Sequence, residues 1–225
     1  MTYLAANTLQ AFPVRYPRFM VAAGVQPERT KPRPAQRRGQ SEDCWTHITF
    51  RDDFSEPRGS AQHNAIDIFG AFELEIVATT SGTIPETWPA WSDGRRVDKP
   101  GVGSAGPAET SGGGNYVMIQ DERGIFHYYA HMSSSPARQV GNSIRAGQVI
   151  GYLGDSGASR ATCQHLHYQT SIREQRDPPS RGWNIAYLNP HRELLRVAAT
   201  QGLSVRRCHK WDRDFRMGYV EILVL

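Results

Sequence analysis

The punctuation of this chain constrains its fold more than any other feature. Short runs rich in β-branched and aromatic residues are cut off by glycine- and proline-containing turns, with 21 glycines and 14 prolines among 225 residues. A helical bundle needs long apolar stripes at helical spacing, and such patterns are few. The pattern favours a mainly β fold with many turns. Phe72–Thr80 (FELEIVATT) alternates apolar and polar residues and reads as a strand. Asn115–Gln120 and Gly124–Ala130 read as two more, joined by a turn at Asp121–Gly124. Val140–Leu153 reads as two short strands broken at Arg145-Ala146-Gly147, and His165–Ile172 as another. A helix is expected after Asn189-Pro190, a cap residue followed by proline at the first helical position, running to about Thr200 before Gly202.

These elements suggest three parts. Residues 1–44 read as an N-terminal extension that includes a Pro- and Arg-rich linker over 26–43. Residues 45–195 read as one domain, with a long insertion at 81–114. That insertion is rich in Gly, Pro, Ser and Trp, which suggests a functional loop or an irregular excursion. Residues 196–225 hold the helix end and a strand-like tail, basic first and apolar last. The net charge of +4 is unevenly placed, with basic residues gathered at Arg29–Arg38 and Arg206–Arg216; these read as solvated arms, with attraction of anionic wall polymers or nucleic acid as the rival reading, and no nucleic-acid partner is expected. Cys44, Cys163 and Cys208 permit one disulfide but imply no disulfide framework. No apolar run approaches the roughly 20 residues of a membrane helix. Met1–Met20 lacks the charged segment and apolar core of a secretory leader, so an extracytoplasmic role would call for a trimmed chain, a phage-type release or a secretion machine.

Four separated pieces carry chemistry. His63 and Asp67 are four residues apart in a strand-like context. Fully extended, their Cα atoms would lie roughly 13 Å apart, so sharing an ion requires a bend at Asn64-Ala65. His165 and His167 lie two apart and share one face of a strand. In Phe126-His127-Tyr128-Tyr129-Ala130, His127 and Tyr129 share one face, Tyr128 and Ala130 the other. His131 falls on the His127 face if the strand stays regular. The fourth piece is the glycine-punctuated run Gly154-Asp155-Ser156-Gly157. Taken singly, each reads as surface or core histidines and turn residues. Taken together, they supply three protein donors for a catalytic zinc and two spare imidazoles for acid–base work.

In this order and spacing the pieces resemble the LytM/lysostaphin-type zinc metallopeptidases, family M23. The matching residues are His63 to Asp67, Gly114-Asn115, Tyr129-Ala130-His131, Val140-Gly141 through Ala146-Gly147-Gln148-Val149-Ile150-Gly151, Gly154 to Gly157 and His165-Leu166-His167. The resemblance covers roughly residues 50 to 192. It implies an antiparallel β-sheet or sandwich with a central groove and short peripheral helices. It further implies Zn²⁺ held by His63, Asp67 and His167, catalytic roles for His131 and His165, and hydrolysis of the peptide part of bacterial peptidoglycan at the cell wall. Asn115 is a candidate for hydrogen bonding a substrate peptide. Departures from the pattern include Ala65 in place of glycine, Gln164 in place of proline, and a longer loop before His165. If position 65 required a positive φ, alanine there would be strained.

Three other readings compete. A non-catalytic envelope protein of the same fold would bind the wall or a partner hydrolase. The strand pattern at Val140–Gly151 also resembles biotinyl- or lipoyl-type modules, but no lysine lies between Pro100 and Lys210 to carry the group. A thiolate from Cys163 as a fourth ligand would close the site and make it structural. An inhibitory contact from the N-terminal arm, with Asn7 or His47 as donor, or from a partner protein, is a further expectation to check.

Overall fold

The computed structural model describes residues 2–15, 48–86, 88–92, 95–99, 102–103, 112–133, 140–175, 183–210 and 218–224. For 88–92, 95–99, 102–103, 161, 175, 206–210 and 218–224 it describes the backbone alone. In chain order the strands are β1 (Val14–Arg15), β2 (Thr49–Phe50), β3 (Pro57–Arg58), β4 (Ala61–Gln62), β5 (Ile66–Phe69), β6 (Glu75–Val77), β7 (Gly82–Thr83), β8 (Trp88–Ser92), β9 (Arg95–Lys99) and β10 (Val102–Gly103). They continue with β11 (Asn115–Gln120), β12 (Phe126–Met132), β13 (Ser143–Ile144), β14 (Val149–Tyr152), β15 (His165–Gln175), β16 (Trp183–Leu188), β17 (Ser204–Lys210) and β18 (Gly218–Val224). Among the described residues, one α-helix, α1 (His191–Thr200), and a 3-10 turn at Gly157–Ala161 complete the elements. The fold is mainly β and antiparallel with few helices, as the turn-rich sequence indicates.

The main sheet runs β13–β7–β11–β12–β15–β5–β2–β18–β17, with β10 added on β11 and β16 on β15. β15 is its axis: eleven residues long, it pairs with β12, β5 and β16. Strict alternation divides its side chains. Leu166, Tyr168 and Thr170 are fully buried in the core, which sends His165 and His167 to the opposite face. β5 repeats the division, with Ile66 and Ile68 in the core and Asp67 opposite, in register with His167. Two positions of one strand therefore bring donors of both strands together.

The first described segment is woven into this core. Leu4, Leu9, Phe12 and Val14 are buried, and β1 pairs with β6. Buried Glu193 of α1 accepts the N–H groups of Thr8 at 3.0 Å and Leu9 at 3.3 Å. Asn7 thus sits at the helix, held with its neighbours by Glu193. His47 and the Pro/Arg-rich stretch at 26–43 lie outside the described residues. α1 begins and ends as its sequence indicates: Asn189 Oδ1 accepts the His191 N–H at 2.9 Å, and Leu203 N–H closes on Ala198 O at 3.0 Å.

The structure refines the sequence reading of three segments. Of the expected Phe72–Thr80 strand, Glu75–Val77 forms β6, and at its start Glu73 takes a left-handed turn with φ 64°. The 81–114 insertion is not wholly irregular: β8 and β9 form a hairpin and β10 pairs with β11, while residues 104–111 lie outside the described set. The tail is a hairpin too, β17 with β18, and joins the main sheet through β2. No helix among the described residues is long and apolar enough to cross a membrane.

Candidate active site

On the face of β5, β12 and β15 away from the core, three donor atoms converge. His63 Nε2 lies 3.2 Å from Asp67 Oδ1 and 3.2 Å from His167 Nδ1, and His167 Nδ1 lies 3.1 Å from Asp67 Oδ1. A tetrahedral zinc with nitrogen and oxygen ligands at about 2.0–2.1 Å keeps its donors roughly 3.3 Å apart. The triangle already has nearly that edge. Among the described residues, this is the one group of three His, Cys, Asp or Glu side chains close enough to share an ion. The chain reaches this geometry by bending at Asn64-Ala65 after the β3–β4 hairpin, which brings His63 back over Asp67. Ala65 is fully buried with an ordinary negative φ, so the substitution for glycine carries no backbone strain. Cys163 is disulfide-bonded, which removes its sulfur as a fourth ligand and leaves the site open.

His131 reaches the site by breaking the alternation of β12. On a regular strand it would join His127 and Tyr129 in the core. Instead its φ is 66°, a left-handed value that costs a β-carbon-bearing residue on the order of 1 kcal/mol and that histidine adopts more readily than most. The turn swings the ring to within 5.0 Å of His165 and 5.8 Å of His167, centroid to centroid. The condition of a regular strand, which would have kept His131 on the His127 face, is therefore not met.

The glycine-punctuated run holds the ring there. His131 N–H donates to Gly113 O at 2.8 Å, and His131 Nδ1 donates to Ser156 O at 2.8 Å. The Ser156 hydroxyl accepts the Asn115 N–H at 2.9 Å. The loops around Gly114 and Gly157 touch backbone to backbone. Both residues have left-handed φ, and a Cβ on either would collide with the other loop. The run noticed in sequence is therefore the seat of His131.

His165 is pinned in the same way. Its Nδ1 donates to Cys163 O at 2.8 Å, and its Nε2 lies 3.8 Å from Asp67 Oδ2. Both spare imidazoles thus carry the hydrogen on Nδ1 and keep Nε2 for the site. Asn115 is buried and its amide donates to Met132 O at 3.1 Å, tying β11 to the end of β12. Trp183 is half-buried opposite Gln175, and the side chains of Trp88 and Trp91 lie outside the description.

The groups of the cluster shift one another's ionisation. Burial opposes a charged His63, but hydrogen bonds with Asp53 and Asp67 outweigh it and lift the imidazole to about 9. Burial likewise opposes Asp67 ionisation; the charge of His165 and hydrogen bonds from His167 and His63 prevail, and the carboxyl falls well below its usual range. Burial, with His165 and His167 adding, pushes His131 down to about 3.

Two residues that the sequence did not flag border the site. Asp53, buried beneath His63, lies with Oδ2 3.1 Å from His63 Nδ1. Arg58, on β3, donates from one guanidinium nitrogen to Asp67 Oδ2 at 2.7 Å.

The model of peptidase family M23 matches residues 61–179, more than half of the chain. This protein is a member of peptidase family M23. Among its relatives is the DD-carboxypeptidase/endopeptidase Mpg of Neisseria meningitidis serogroup B, 45% identical over 64 residues, which are 28% of this chain and 14% of Mpg. Lysostaphin of Staphylococcus simulans is 30% identical over 111 residues, 49% of this chain and 18% of lysostaphin. The M23 chain thus spans only a small part of the length of these relatives. A crystal structure from Ruminococcus gnavus, provisionally assigned as the glycyl-glycine endopeptidase lytM, superposes with a TM-score of 0.50 at 21% identity, covering 86% of this chain and 62% of that one. That likeness extends to the fold.

Proposed function

We propose that this M23 chain is a zinc-dependent endopeptidase that hydrolyses peptide cross-links or stem peptides of bacterial peptidoglycan, acting at the cell wall. The observation that carries the reading is the triangle of His63 Nε2, Asp67 Oδ1 and His167 Nδ1, with edges of 3.1–3.2 Å and two further imidazoles beside it. The donor set is all nitrogen and oxygen, from two imidazoles and one carboxylate, which suits a catalytic zinc with an open position, the His63 proton leaving as the metal binds. When bound, zinc supplies a Lewis acid that acidifies a water and polarises the scissile carbonyl.

The remaining chemistry belongs to His131 and His165. Each is held through Nδ1 by a backbone carbonyl, so Nε2 is fixed in direction without torsional search. One imidazole takes the proton of the attacking water, and the other donates to the developing oxyanion or the departing amine. The names of two relatives, an endopeptidase called Mpg and lysostaphin, support a peptidoglycan substrate.

Purified peptidoglycan incubated with the protein should release fragments bearing new amino termini, read by mass spectrometry. Release should stop with a chelator and in His131→Ala, and the fragment masses name the bond. A zinc-loaded protein that releases nothing from walls of several cross-link types would leave a binding protein of the same fold.

A further inference from the structure

Asp53 and Arg58 touch the proposed ligands from behind, and their contacts form a closed pattern. Asp53 meets both ligands of the first piece. Its Oδ2 lies 3.1 Å from His63 Nδ1, its carbonyl oxygen lies 3.2 Å from the same nitrogen, and its Oδ1 accepts the Asp67 N–H at 3.3 Å. Arg58 meets both carboxylates. One nitrogen donates to Asp67 Oδ2 at 2.7 Å and to Asp53 Oδ2 at 3.2 Å. Asp53 and Asp67 are buried, whereas the Arg58 side chain is 46% exposed.

These contacts decide which atoms face forward. With two oxygens in reach and no donor opposite, His63 Nδ1 carries a hydrogen, so Nε2 is the nitrogen left to the site, facing Asp67 Oδ1 and His167 Nδ1, and it gives its lone pair to a metal once its proton leaves. Asp67 has its Oδ2 taken by Arg58, which leaves Oδ1 as the oxygen that joins the triangle. Two buried carboxylates a few ångströms apart repel each other strongly, and the single guanidinium between them offsets that repulsion.

Building on the zinc-peptidase reading, we infer that Asp53 and Arg58 are positioning residues for the metal. Asp53 fixes the orientation and tautomer of His63, and Arg58 confines Asp67 to ligation through one oxygen. Carboxylate–histidine support of this kind typically changes metal affinity by a factor of about 10–100 when removed. Neither residue reaches the reacting atoms, and neither is a ligand.

The test is zinc affinity by competition with a chromophoric chelator, together with the visible spectrum of the cobalt(II)-substituted protein. Asp53→Asn keeps the shape but loses the charge and should weaken zinc by roughly 10–100-fold. Arg58→Gln frees Asp67 Oδ2 and should weaken zinc as well. It should also dim the cobalt bands, since four-coordinate cobalt absorbs more strongly than five-coordinate. Arg58→Lys, which keeps a charge between the carboxylates, should recover most of the affinity. Asp53 is buried, and if Asp53→Asn does not fold, the half-exposed Arg58 pair decides. Parent-like affinity and spectrum in folded Asp53→Asn and Arg58→Gln would overturn the inference.

These readouts are independent of catalysis. A parent that cleaves walls while both variants bind zinc normally loses the inference and keeps the proposed function. A parent that binds zinc and cleaves nothing, with weakened variants, does the reverse. A parent that binds no zinc removes both.

Discussion

On the core face of β12 and β15, Asp121, His127, Tyr168, Thr79 and Tyr129 form one chain of hydrogen bonds. On the opposite face, His63, Asp67, His131, His165 and His167 gather. The residue types are similar, and so is the burial. In the core every group has a complementary neighbour. His127 Nε2 lies 3.2 Å from Asp121 Oδ2, and His127 Nδ1 lies 2.9 Å from Tyr168 OH. Thr79 Oγ1 then links Tyr168 OH at 2.9 Å to Tyr129 OH at 2.7 Å. Asp121 Oδ1 is filled by the N–H groups of Arg123 and Ile125, which also sets the turn between β11 and β12. A network satisfied in this way is structural.

On the other face, the Nδ1 hydrogens of His63, His131 and His165 point outward to Asp53, Ser156 and Cys163, and the Nε2 atoms face a shared space. The difference teaches that a histidine–aspartate pair becomes a site when the supporting contacts turn its acceptors toward one another. Residue type alone does not distinguish Asp121–His127 from Asp67–His63.

Removing a lone pair from the inward cluster should have the largest effect. His167→Ala, or chelation of the parent, should abolish both zinc occupancy and wall cleavage. The folded state should survive, because the core chain is untouched. Near-UV circular dichroism measured beside metal content checks this, and collapse of the fold on chelation would erase the distinction between the faces. Bound zinc should also raise the melting temperature; at a thousandfold excess over Kd the linkage is about 4 kcal/mol.

Next come the spare imidazoles. His131→Ala and His165→Ala should each retain zinc yet lower kcat/KM by about 10²–10⁴-fold. Loss of zinc in either variant would move that histidine from catalysis to ligation.

The core chain should answer in stability. Tyr168→Phe removes the hydroxyl between His127 and Thr79 and should cost about 1–3 kcal/mol in denaturant unfolding, with zinc affinity unchanged. A weakened zinc site in that variant would show that the two faces are energetically coupled through β15.

The smallest effect concerns acid. Burial alone would raise the Asp121 carboxyl, but hydrogen bonds from His127 and from the Ile125 and Arg123 N–H groups outweigh it and lower the group. A carboxyl lowered on folding contributes stability that is complete above its unfolded value of about 3.9 and is lost as pH falls through the lower folded value. Unfolding free energy should therefore fall on acidification below about pH 4. Asp121→Asn should flatten that slope, and an unchanged slope would remove Asp121 from the account.

Much of the site was legible in sequence because its donors sit at short, periodic spacings. Two-residue alternation at His165–His167 is enough to place both on one face, and the four-residue step at His63–Asp67 required only the bend that the chain makes. Alternation alone does not bring His131 there: a regular β12 would send it to the core, whereas a left-handed φ, supported by Gly113 O and the Ser156 carbonyl, turns the ring to the other face. Asp53 and Arg58 left no periodic signal. They meet the ligands only through the folding of the β3–β4 hairpin, which sequence spacing does not encode. The buried Leu4, Leu9, Phe12 and Val14 are similar: their partners lie on β6 and α1, far along the chain. Likewise the tail's strands were legible as strands, but not their junction with β2.

X-ray absorption at the zinc edge of the purified protein tests the central claim most directly. The account predicts one zinc per chain in a shell of nitrogen and oxygen only, with the outer-shell signature of two imidazoles, and loss of that signal in His167→Ala. Absence of stoichiometric zinc, or sulfur in the first coordination shell, would contradict it.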